Sequence, residues 1–454
     1  MSDESTVNFF LLFYECILWM IAFLALPKAL YQLIVRKKYR HSLLPRLGFL
    51  SQSIKQNQQP AIWIHAVSVG ETKAVTALAR ALKQRFPHYS LIVSSVTETG
   101  HAEALRSLPF ADHHIYLPYD FHHLMKKALR QAKPKLVVLC ESDFWLNFLN
   151  CAKKQGAAVV LVNGKLSERS MRRFQKVPFF STRLFNLFDL LCVQNPLYQM
   201  RLETAGAPSQ QLVVTGNLKL DEDYPHLDEE EAQNWRKKLG IACSRLVVTI
   251  GSTHDPEEEE LVKILEKIWE IVPHLLVILV PRHPERFTEV AKILERHDIS
   301  FVNYTQLSQA QGNHRVILID VMGMLRLCYQ LADIAIVGGS FTNKVGGHNI
   351  LEPCWYGKPV LFGPYMHSQL ELVELMKRYH AGQQTSLDQL QEILMQWLLD
   401  EKQRHLMGER GMELVHDLKG STQRTLNRLN PLLETFKGLE GYVKDENLIN
   451  QQSA

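Results

Sequence analysis

Short apolar segments alternate with amphipathic ones along most of this chain, and this alternation constrains its fold more than any other feature. In the first half, helical patterns at 71–86, 121–132 and 144–155 separate apolar runs of strand length, which lie at 61–67, 90–96, 136–140, 157–162 and 189–193. Such runs are typical of strands buried on both faces of a parallel sheet. A second series extends from 246 to 362. We therefore predict an α/β protein with two doubly wound, Rossmann-like units in tandem.

The length of 454 residues leaves room for further segments around these two units. In chain order we expect a membrane anchor with a basic segment at 1–48, a first Rossmann-like domain at 49–222, a linker at 223–240, a second Rossmann-like domain at 241–387, helices at 388–436 that pack back toward the first domain, and a polar tail at 437–454.

The N-terminal segment has the features of a membrane anchor. Residues 7–26 are mostly apolar, and about 20 such residues can cross a bilayer core of ~30 Å. Acidic residues precede them, whereas residues 27–60 carry seven basic side chains and no acid, so the positive-inside rule places the bulk of the chain in the cytoplasm. Glu15 interrupts the apolar run at a cost of about 2.5–3.5 kcal/mol at a bilayer centre, which leaves both a full span and partial insertion open. The net charge of +4 gives no reason to expect nucleic acid as a partner.

Glu71 lies where the first predicted strand passes into a helix. Ligands of open α/β sheets bind at this kind of position, and the helix dipole is expected to keep a carboxylate there ionised. An ionised carboxylate at a crevice can act as a general base. The alternative is that Glu71 only caps the helix.

The corresponding stretch of the second series is rich in glycine. A strand ends at Gly338 and Gly339, and a helix predicted at 349–356 follows a loop that contains two more glycines, so backbone N–H groups could bind an anion there. Glu352 would then accept hydrogen bonds from ribose hydroxyls; the alternative is a turn whose glycines serve packing. The pattern is neither a dinucleotide-binding nor a Walker motif, so it supports neither NAD nor ATP.

Cations are predicted near the same strand ends. Arg282 and His283 follow an apolar strand directly and could neutralise a leaving phosphate, although a surface pair is the alternative. Lys219, at the end of the first series, is a second candidate.

No pattern favours a metal site. The acids at 221–223 superficially resemble a D-x-D motif but lie in a polar linker, and those at 257–260 fit a solvated first helical turn. The seven cysteines include no C-x-x-C pair, which argues against structural zinc and disulfides. Histidines without metal-site partners are expected at the surface; they are His113, His114, His122 and His123.

Seven ordered motifs resemble those of the 3-deoxy-D-manno-octulosonic acid (Kdo) transferases, which are inverting glycosyltransferases of GT-B architecture. The motifs are HAVSVGE at 65–71, NGKLSERS at 163–170, TGNLKLD at 215–221, GSTH at 251–254, PRHPERF at 281–287, GGHNILEP at 346–353 and FGP at 362–364. The resemblance implies that Glu71 is the general base and that Glu141 and Lys219 stabilise the transition state. It also implies that CMP binds at Pro281, Arg282, Met322, Gly323, Met324, Asn349, Ile350, Leu351 and Glu352.

The substrates that the resemblance implies are CMP-Kdo as donor and lipid A precursor (lipid IVA), then the added Kdo, as acceptor. The enzyme would act in lipopolysaccharide core biosynthesis at the cytoplasmic side of the bacterial inner membrane, in contact with membrane lipids, and without a cofactor or metal. Departures from the usual motifs resemble the chlamydial branch, and they leave the number and linkage of Kdo units open; they include Glu141-Ser-Asp-Phe-Trp-Leu-Asn147 and Lys165 in place of Arg.

Three other hypotheses about function are compared with this interpretation. A lipid A disaccharide synthase-like transferase would take a UDP donor, and a UDP-sugar epimerase would need neither anchor nor basic segment. A non-catalytic lectin or scaffold would have no reason to keep Glu71, Lys219 and Arg282 around one crevice.

Overall fold

The computed structural model describes residues 2–36, 42–221, 224–242, 244–309 and 314–434. The chain divides into two compact units, the first formed by Met1–Glu222 and Lys419–Ala454 and the second by Asp223–Leu418. The polar tail predicted at 437–454 and the basic residues at 37–41 lie outside the described residues. The predicted linker at 223–240 clusters with the second unit and contains a helix there.

The first unit is built on a seven-stranded parallel sheet in the order β3-β2-β1-β4-β5-β6-β7. Its strands are β1 Ala61–His65, β2 Ser90–Ser95, β3 His113–Tyr116, β4 Pro134–Cys140, β5 Ala158–Gly164, β6 Leu190–Val193 and β7 Leu212–Val214. The five strands predicted from apolar runs are present, whereas β3 was missed. Strand β3 is a sheet edge with half-buried histidines, so it lacks the continuous apolar run of a central strand.

Ten α-helices accompany this sheet in the described part of the first unit before β7. They are α1 Ser2–Ile34, α2 Leu43–Arg46, α3 Gln52–Gln56, α4 Val69–Arg85, α5 Glu98–Ser107, α6 His122–Ala132, α7 Leu146–Lys154, α8 Glu168–Gln175, α9 Pro178–Phe185 and α10 Pro196–Thr204. Apolar side chains fill both faces of the sheet, with Trp63 and Phe148 on one face and Ile64 and Leu78 on the other.

Helix α1 is docked on the first unit through polar contacts. Glu15, which appeared to interrupt the apolar segment, accepts hydrogen bonds from the His122 backbone N–H (3.2 Å) and the Asn147 side-chain amide (2.9 Å). These contacts fix one turn of α1 against the start of α6, whose first residue is His122. Tyr14 donates to Asp120 at 2.9 Å, and Asp120 in turn accepts from backbone N–H groups at the start of α7.

The second unit has its own seven-stranded parallel sheet, in the order β10-β11-β9-β8-β12-β13-β14. The strands are β8 Val247–Thr253, β9 Leu276–Pro281, β10 Phe301–Asn303, β11 Val316–Leu318, β12 Ile334–Val337, β13 Val360–Phe362 and β14 Gly382–Gln384. The prediction of two parallel α/β units is therefore confirmed, and the short edge strands β10 and β14 were not foreseen.

The α-helices of the second unit include two that were predicted to pack toward the first domain. The helices are α11 Glu229–Lys238, α12 Glu257–Ile271, α13 Phe287–Arg296, α14 Leu325–Leu331, α15 Leu370–Tyr379, α16 Leu387–Leu399 and α17 Glu401–Leu418. The prediction for 388–436 is wrong for its first part, because Leu394 and Trp397 of α16 are buried in the core of the second unit. Only the helical residues 421–434 pack on the first unit, where Leu426, Leu429 and Leu433 join its core.

Each sheet has a point at which the strand order reverses. In the first unit it lies between β1 and β4, and in the second unit between β8 and β12. Open α/β sheets bind their ligands outside the carboxyl ends of the strands at such points. Two places in the molecule are thus singled out before any side chain is considered.

Candidate functional site

Glu71 lies at the reversal point of the first sheet and does cap helix α4. Ser68 is the N-cap, and its hydroxyl accepts from the Glu71 N–H. The Glu71 carboxylate in turn accepts from the Val67 backbone N–H at 2.9 Å and from the Ser68 hydroxyl at 3.0 Å. This reciprocal arrangement is a form of capping box. The capping alternative is therefore part of the local structure, and any chemical role of Glu71 has to be compatible with it.

The environment of Glu71 makes its carboxylate a stronger base than an exposed glutamate. Its exposed fraction is only 8 %. Burial raises the pKa of Glu71, and the negative charges of Asp143 and Glu141 add to this effect, which outweighs the hydrogen bonds from Val67 and Ser68. The expectation that the helix dipole keeps this group ionised left out desolvation, which acts in the opposite direction and is the largest cause of the raised pKa.

Glu141 follows β4 immediately, at the other side of the same reversal point. Its φ of 64° is in the left-handed region, which a residue with a Cβ rarely adopts, and its side chain is only 5 % exposed. The carboxylate pairs with the Lys219 ammonium at 2.7 Å and also with Lys165. Burial alone would raise the pKa of Glu141, but the two lysines reverse this and lower it. Glu141 is therefore held as an anion between two cations.

Asn163 organises this cluster, and the sequence motifs pointed to it only as part of NGKLSERS. It lies in β5 with a φ of 54° and is completely buried. Its side-chain oxygen accepts from the Leu218 N–H at 2.9 Å, and its amide contacts the Glu141 carboxylate at 3.4 Å. Asn163 thus fixes the backbone next to Lys219 relative to Glu141. Two neighbouring non-glycine residues with left-handed backbone are typical of functional sites.

Asp143 is a further acid of this cluster that the motif comparison noted only as a departure. It is half-buried, and burial together with the charge of Glu141 raises its pKa. In addition to burial, the negative charges of Asp143 and Glu141 both raise the pKa of Glu71, and the effect of Asp143 is the larger of the two. The first unit therefore brings Glu71, Glu141 and Lys219 together as predicted by position, and adds Lys165 and Asp143.

Asp221, the first of the D-x-D-like acids at 221–223, is used to cap a helix and does not belong to a group of metal ligands within the described residues. Asp221 accepts hydrogen bonds from the backbone N–H groups of Gly420 (2.8 Å), Ser421 (3.1 Å) and Thr422. Its carboxylate caps the helical residues 421–434, while residues 222 and 223 lie outside the described chain. Within the described residues, no group of three or more His, Cys, Asp or Glu side chains is arranged to hold a metal ion.

In the second unit, Glu257 connects the loops at the reversal point. It was predicted to lie in a solvated helical turn, and this is wrong, because Glu257 and Glu258 are 1 % and 0 % exposed. The Glu257 carboxylate accepts from the backbone N–H groups of Gly339 (2.7 Å), Phe341 (2.7 Å) and His254 (3.0 Å). It thereby ties the end of β8 to the loop after β12, a contact between distant segments that helical periodicity cannot reveal.

The glycine-rich loop is folded tightly on itself. Gly339 and Gly347 have φ values of 66° and 88°, and the Gly347 N–H donates to the Gly339 carbonyl at 2.8 Å. A Cβ on Gly339 would lie 2.6 Å from the His348 ring, so a larger residue does not fit. The packing alternative is thus correct for this glycine.

The predicted helix at 349–356 is wrong in type and length. Only Pro353–Tyr356 is helical, as a 3₁₀ turn, so a dipole of several helical turns is lacking at His348. The side chains of Ile350 and Leu351 are fully buried, which leaves only their backbone to face a ligand, whereas Asn349 and Glu352 are half-buried.

The other predicted donor-binding residues lie at the ends of strands or in loops. Pro281 is the buried last residue of β9, and the exposed Arg282 donates its backbone N–H to Thr253 at 3.1 Å. The 322–324 segment precedes α14, with Met322 exposed and Gly323 at a φ of 92°.

Three imidazoles surround the end of β8, next to Arg282. The Nε2 atoms of His254 and His348 are 2.7 Å apart, and the rings of His254 and His283 have centroids 5.1 Å apart. Burial and the neighbouring bases lower the pKa of His254, and they lower the pKa of His348 to about 4. The motifs that contain these histidines (GSTH, PRHPERF and GGHNILEP) and the strand end before His283 marked their positions, but no sequence signal indicated that the three rings meet.

Two parallel sheets, one with a buried acid beside paired lysines and one with bases around a glycine-rich loop, define the chain as a GT-B type α/β protein. Its sequence resolves the class further. The family described as 3-deoxy-D-manno-octulosonic-acid transferase (kdotransferase) matches residues 41–222. A 3-deoxy-D-manno-octulosonic acid transferase of Chlamydophila psittaci is 33 % identical over 417 residues, which are 91 % of this chain and 94 % of that protein. One from Haemophilus influenzae is 31 % identical over 403 residues, covering 87 % and 92 %. The chain belongs to the 3-deoxy-D-manno-octulosonic acid transferase family and is a glycosyltransferase.

Solved structures share the fold with much lower identity. The Anabaena Alr3699/HepE structure in complex with UDP has a TM-score of 0.58 at 15 % identity and covers 83 % of this chain and 100 % of its own. A UDP-GlcNAc 2-epimerase from Neisseria meningitidis has a TM-score of 0.56 at 14 % identity and covers 82 % and 100 %. The likeness to the epimerase is one of fold, while the sequence places the chain among the Kdo transferases.

Proposed function

We propose that the chain transfers Kdo from CMP-Kdo to a sugar hydroxyl of lipid A precursor (lipid IVA), and then to the added Kdo, with inversion at the anomeric carbon. The bond between the anomeric carbon and the CMP phosphate breaks, and the acceptor oxygen forms the new bond. The acceptor proton passes to Glu71, and CMP leaves as an anion. Family membership supports the transfer of Kdo.

The observation that carries the role of Glu71 is its raised pKa at a buried position beside Glu141, Lys165 and Lys219. A base works best when its pKa approaches the working pH, and burial moves Glu71 in that direction. The ion pairs keep Glu141 charged, so it can stabilise the positive charge that develops on the sugar ring. The ammonium groups of Lys165 and Lys219 can stabilise negative charge that develops on the reacting atoms.

Glu71→Gln tests the base without removing the cap. Glutamine at this position of a capping box can still accept from the Val67 N–H, but it cannot take up a proton. We expect the variant to fold and to lose about 10²- to 10⁴-fold in kcat. Turnover is measured with CMP-Kdo and lipid IVA, and the products are weighed by mass spectrometry, which also counts the sugars added. Wild-type turnover by the glutamine variant would mean that Glu71 is not the base and only caps helix α4.

Donor binding is assigned to the second unit. We place CMP against Pro281, Arg282, the 322–324 loop and the 349–352 turn, where the buried side chains of Ile350 and Leu351 fix the backbone. Arg282→Ala should lose donor binding, measured by calorimetry with CMP, because the exposed guanidinium is available to a phosphate.

We propose that the reaction needs no metal, because CMP carries a single phosphate that Arg282 and backbone N–H groups can stabilise. The rate should be the same before and after the enzyme has been dialysed against EDTA. A rate that falls with EDTA and returns with Mg²⁺ would contradict this.

We also propose that α1 anchors the enzyme at the inner membrane, with the catalytic units on the cytoplasmic side. Within α1, Leu11–Lys28 is apolar and long enough to cross a membrane, by length and composition alone. Between Leu11 and Trp19, however, one side of the helix contacts the first unit, and the rings of Phe121 and Trp19 have centroids 4.6 Å apart. Beyond it the large side chains are mostly exposed, including Phe23 at 76 % and Leu24 at 72 %. From residue 20 to its end at Ile34 the helix would extend only about 22 Å, less than the ~30 Å of a bilayer core, which favours partial insertion.

Labelling in proteoliposomes distinguishes the two topologies. A cysteine is introduced by Asp3→Cys in a chain that also carries Cys16→Ser and Cys243→Ser, and a membrane-impermeant maleimide is added from outside. Ser53→Cys, at an exposed position of the first unit, reports the fraction of molecules with that unit outside. Partial insertion predicts equal labelling at both positions. A full span predicts that position 3 is labelled only in the molecules whose first unit is inside, so that the two labelled fractions are complementary.

A further inference from the structure

The three histidines of the second unit meet at the reversal point of its sheet although they come from three separate segments. His254 follows β8 directly, His283 follows β9 by two residues, and His348 follows the glycine pair of the loop after β12. The His254 and His348 rings are nearly parallel, with centroids 5.0 Å apart. Their Nε2 atoms, 2.7 Å apart, can share only one proton, since one nitrogen must donate and the other accept.

The groups that face these rings are basic. In addition to burial, the nearby bases His283, Arg282 and Arg286 lower the pKa of His254. Burial and the bases His254, Arg282 and His283 lower the pKa of His348. Protonation of either ring would add a positive charge next to these bases. Arg286 is compensated by Glu258 at 3.1 Å and Asp255 at 3.7 Å. Arg282 has no carboxylate within ion-pair distance in the part of the chain that the structure describes.

Nearby carboxylates are engaged elsewhere. Glu257 directs its oxygens to three backbone N–H groups, including that of His254 itself, so it does not neutralise the rings. Asp255 contacts Lys344 at 3.6 Å in addition to Arg286. Arg282 therefore carries a positive charge that no described carboxylate pairs with, and it lies beside imidazoles that can donate N–H groups. At the place where parallel sheets bind ligands, such a group of donors suits an anion.

We propose that His254, His283 and His348 together with Arg282 form an oxyanion site that binds the phosphate of the nucleotide donor. The inference rests on the proposed function, because the donor is the phosphate ester available to this unit. On binding, the phosphate takes the place of one imidazole as partner, so the hydrogen bond between His254 and His348 gives way to two N–H groups aimed at oxygen. Charge-assisted hydrogen bonds of this type are short and strong. Glu257 acts as a positioning residue, since it holds the His254 backbone and the loop that ends at His348.

Calorimetric titration of the full-length protein with CMP and with cytidine tests the site, since the two ligands differ only in the phosphate. The variants are His254→Gln, His348→Gln and the exposed His283→Ala, with His405→Gln on the exposed surface of α17 as a matched control. We expect each of the three variants to lose about tenfold to a hundredfold in CMP affinity, with cytidine affinity unchanged, as for the loss of one charge-assisted hydrogen bond. The control should bind both ligands as the wild type does.

The outcomes separate this site from the proposed function. A wild-type protein that does not bind CMP overturns the donor assignment itself. If the wild type binds CMP but the histidine variants bind it equally well, or lose cytidine and CMP affinity in parallel, the histidines do not bind phosphate. A parallel titration with free Kdo tests the sugar carboxylate as the occupant: histidine variants that lose affinity for Kdo and keep it for CMP would overturn the assignment to phosphate. Because His283 is exposed, its alanine variant keeps the test decisive even if a buried variant fails to fold.

Discussion

At the scale of single residues, Glu71 shows how one side chain can serve structure and chemistry together. Its carboxylate completes the capping of α4 and is desolvated by the same packing, so the position that orders the helix also raises the pKa. A capping glutamate on an exposed helix would not be changed in this way, because water would solvate the charge.

The raised pKa predicts the acid side of the pH–rate profile. Glu71 accepts a proton only when it is ionised, so kcat/KM should fall as the pH decreases through a value above that of an ordinary glutamate. Asp143→Asn removes the negative charge with the largest effect on Glu71, and it should shift this limb to lower pH. The measurement is kcat/KM against pH for both proteins, with Arg106→Lys on exposed α5 as a control. A limb that stays in place in the Asp143 variant would contradict the charge coupling.

A second prediction concerns Lys165, which pairs with Glu141 together with Lys219. Lys165→Met leaves Glu141 with Lys219 as its only paired cation, which should raise the pKa of Glu141 and lower kcat about 100-fold. Lys165→Arg keeps the charge and should stay within a few-fold of wild type. Turnover and thermal unfolding are measured for both variants, and full activity of the methionine variant would argue against a role for the pair.

At the scale of elements, α1 is a part of the first unit as well as an apolar helix. Its exposed apolar surface and its docked polar residues lie on the same helix, and periodicity alone showed only the first of these properties. Glu15 is tolerated in an apolar segment because it accepts from the His122 N–H at the start of α6, where the helix dipole also favours a negative charge, and from the Asn147 side-chain amide.

Removing Glu15 should therefore destabilise the folded protein. In detergent, Glu15→Leu should lower the free energy of unfolding by about 0.5–2 kcal/mol, as for the loss of a helix cap. Cys16→Ser, which changes an exposed side chain of the same helix, serves as the control. Equal or higher stability of the leucine variant in denaturant titrations would show that the docking contributes nothing.

At the scale of the whole molecule, the chain returns to complete the unit in which it began. Residues 421–434 cover the sheet of the first unit through Leu426, Leu429 and Leu433, and Asp221 caps them from 200 residues earlier in the sequence. The second unit is thus inserted between two segments of the first, with α16 and α17 as its own last helices.

Loss of this cap should loosen the C-terminal segment selectively. Asp221→Ala is expected to cost about 1 kcal/mol and to speed proteolytic cleavage after Leu418. Asp228→Ala removes a comparable cap from α11 of the second unit and should not affect that cleavage. Limited proteolysis with mass spectrometry measures both. Equal cleavage rates in the two variants would mean that Asp221 does not hold the segment.

The two parallel sheets were predictable from the sequence, because runs of apolar residues that alternate with amphipathic helices leave few other ways to bury their surfaces. Motifs and strand ends also pointed to Glu71, Glu141 and Lys219, which lie near one another in the first unit; their catalytic roles stay a prediction. Sequence patterns failed where the role of a residue depends on a partner far away in sequence: Glu257 looked like a solvated acid, Glu15 like an interruption of the apolar segment, and Asp221 like an acid in a polar linker.

Those roles became visible only in the folded protein. Burial raises the pKa of Glu71, and three loops meet to bring His254, His283 and His348 together. Local propensity and periodicity describe neighbours within a few residues, whereas desolvation and hydrogen bonding between loops depend on contacts across tens to hundreds of residues. Those contacts exist only once the chain has folded.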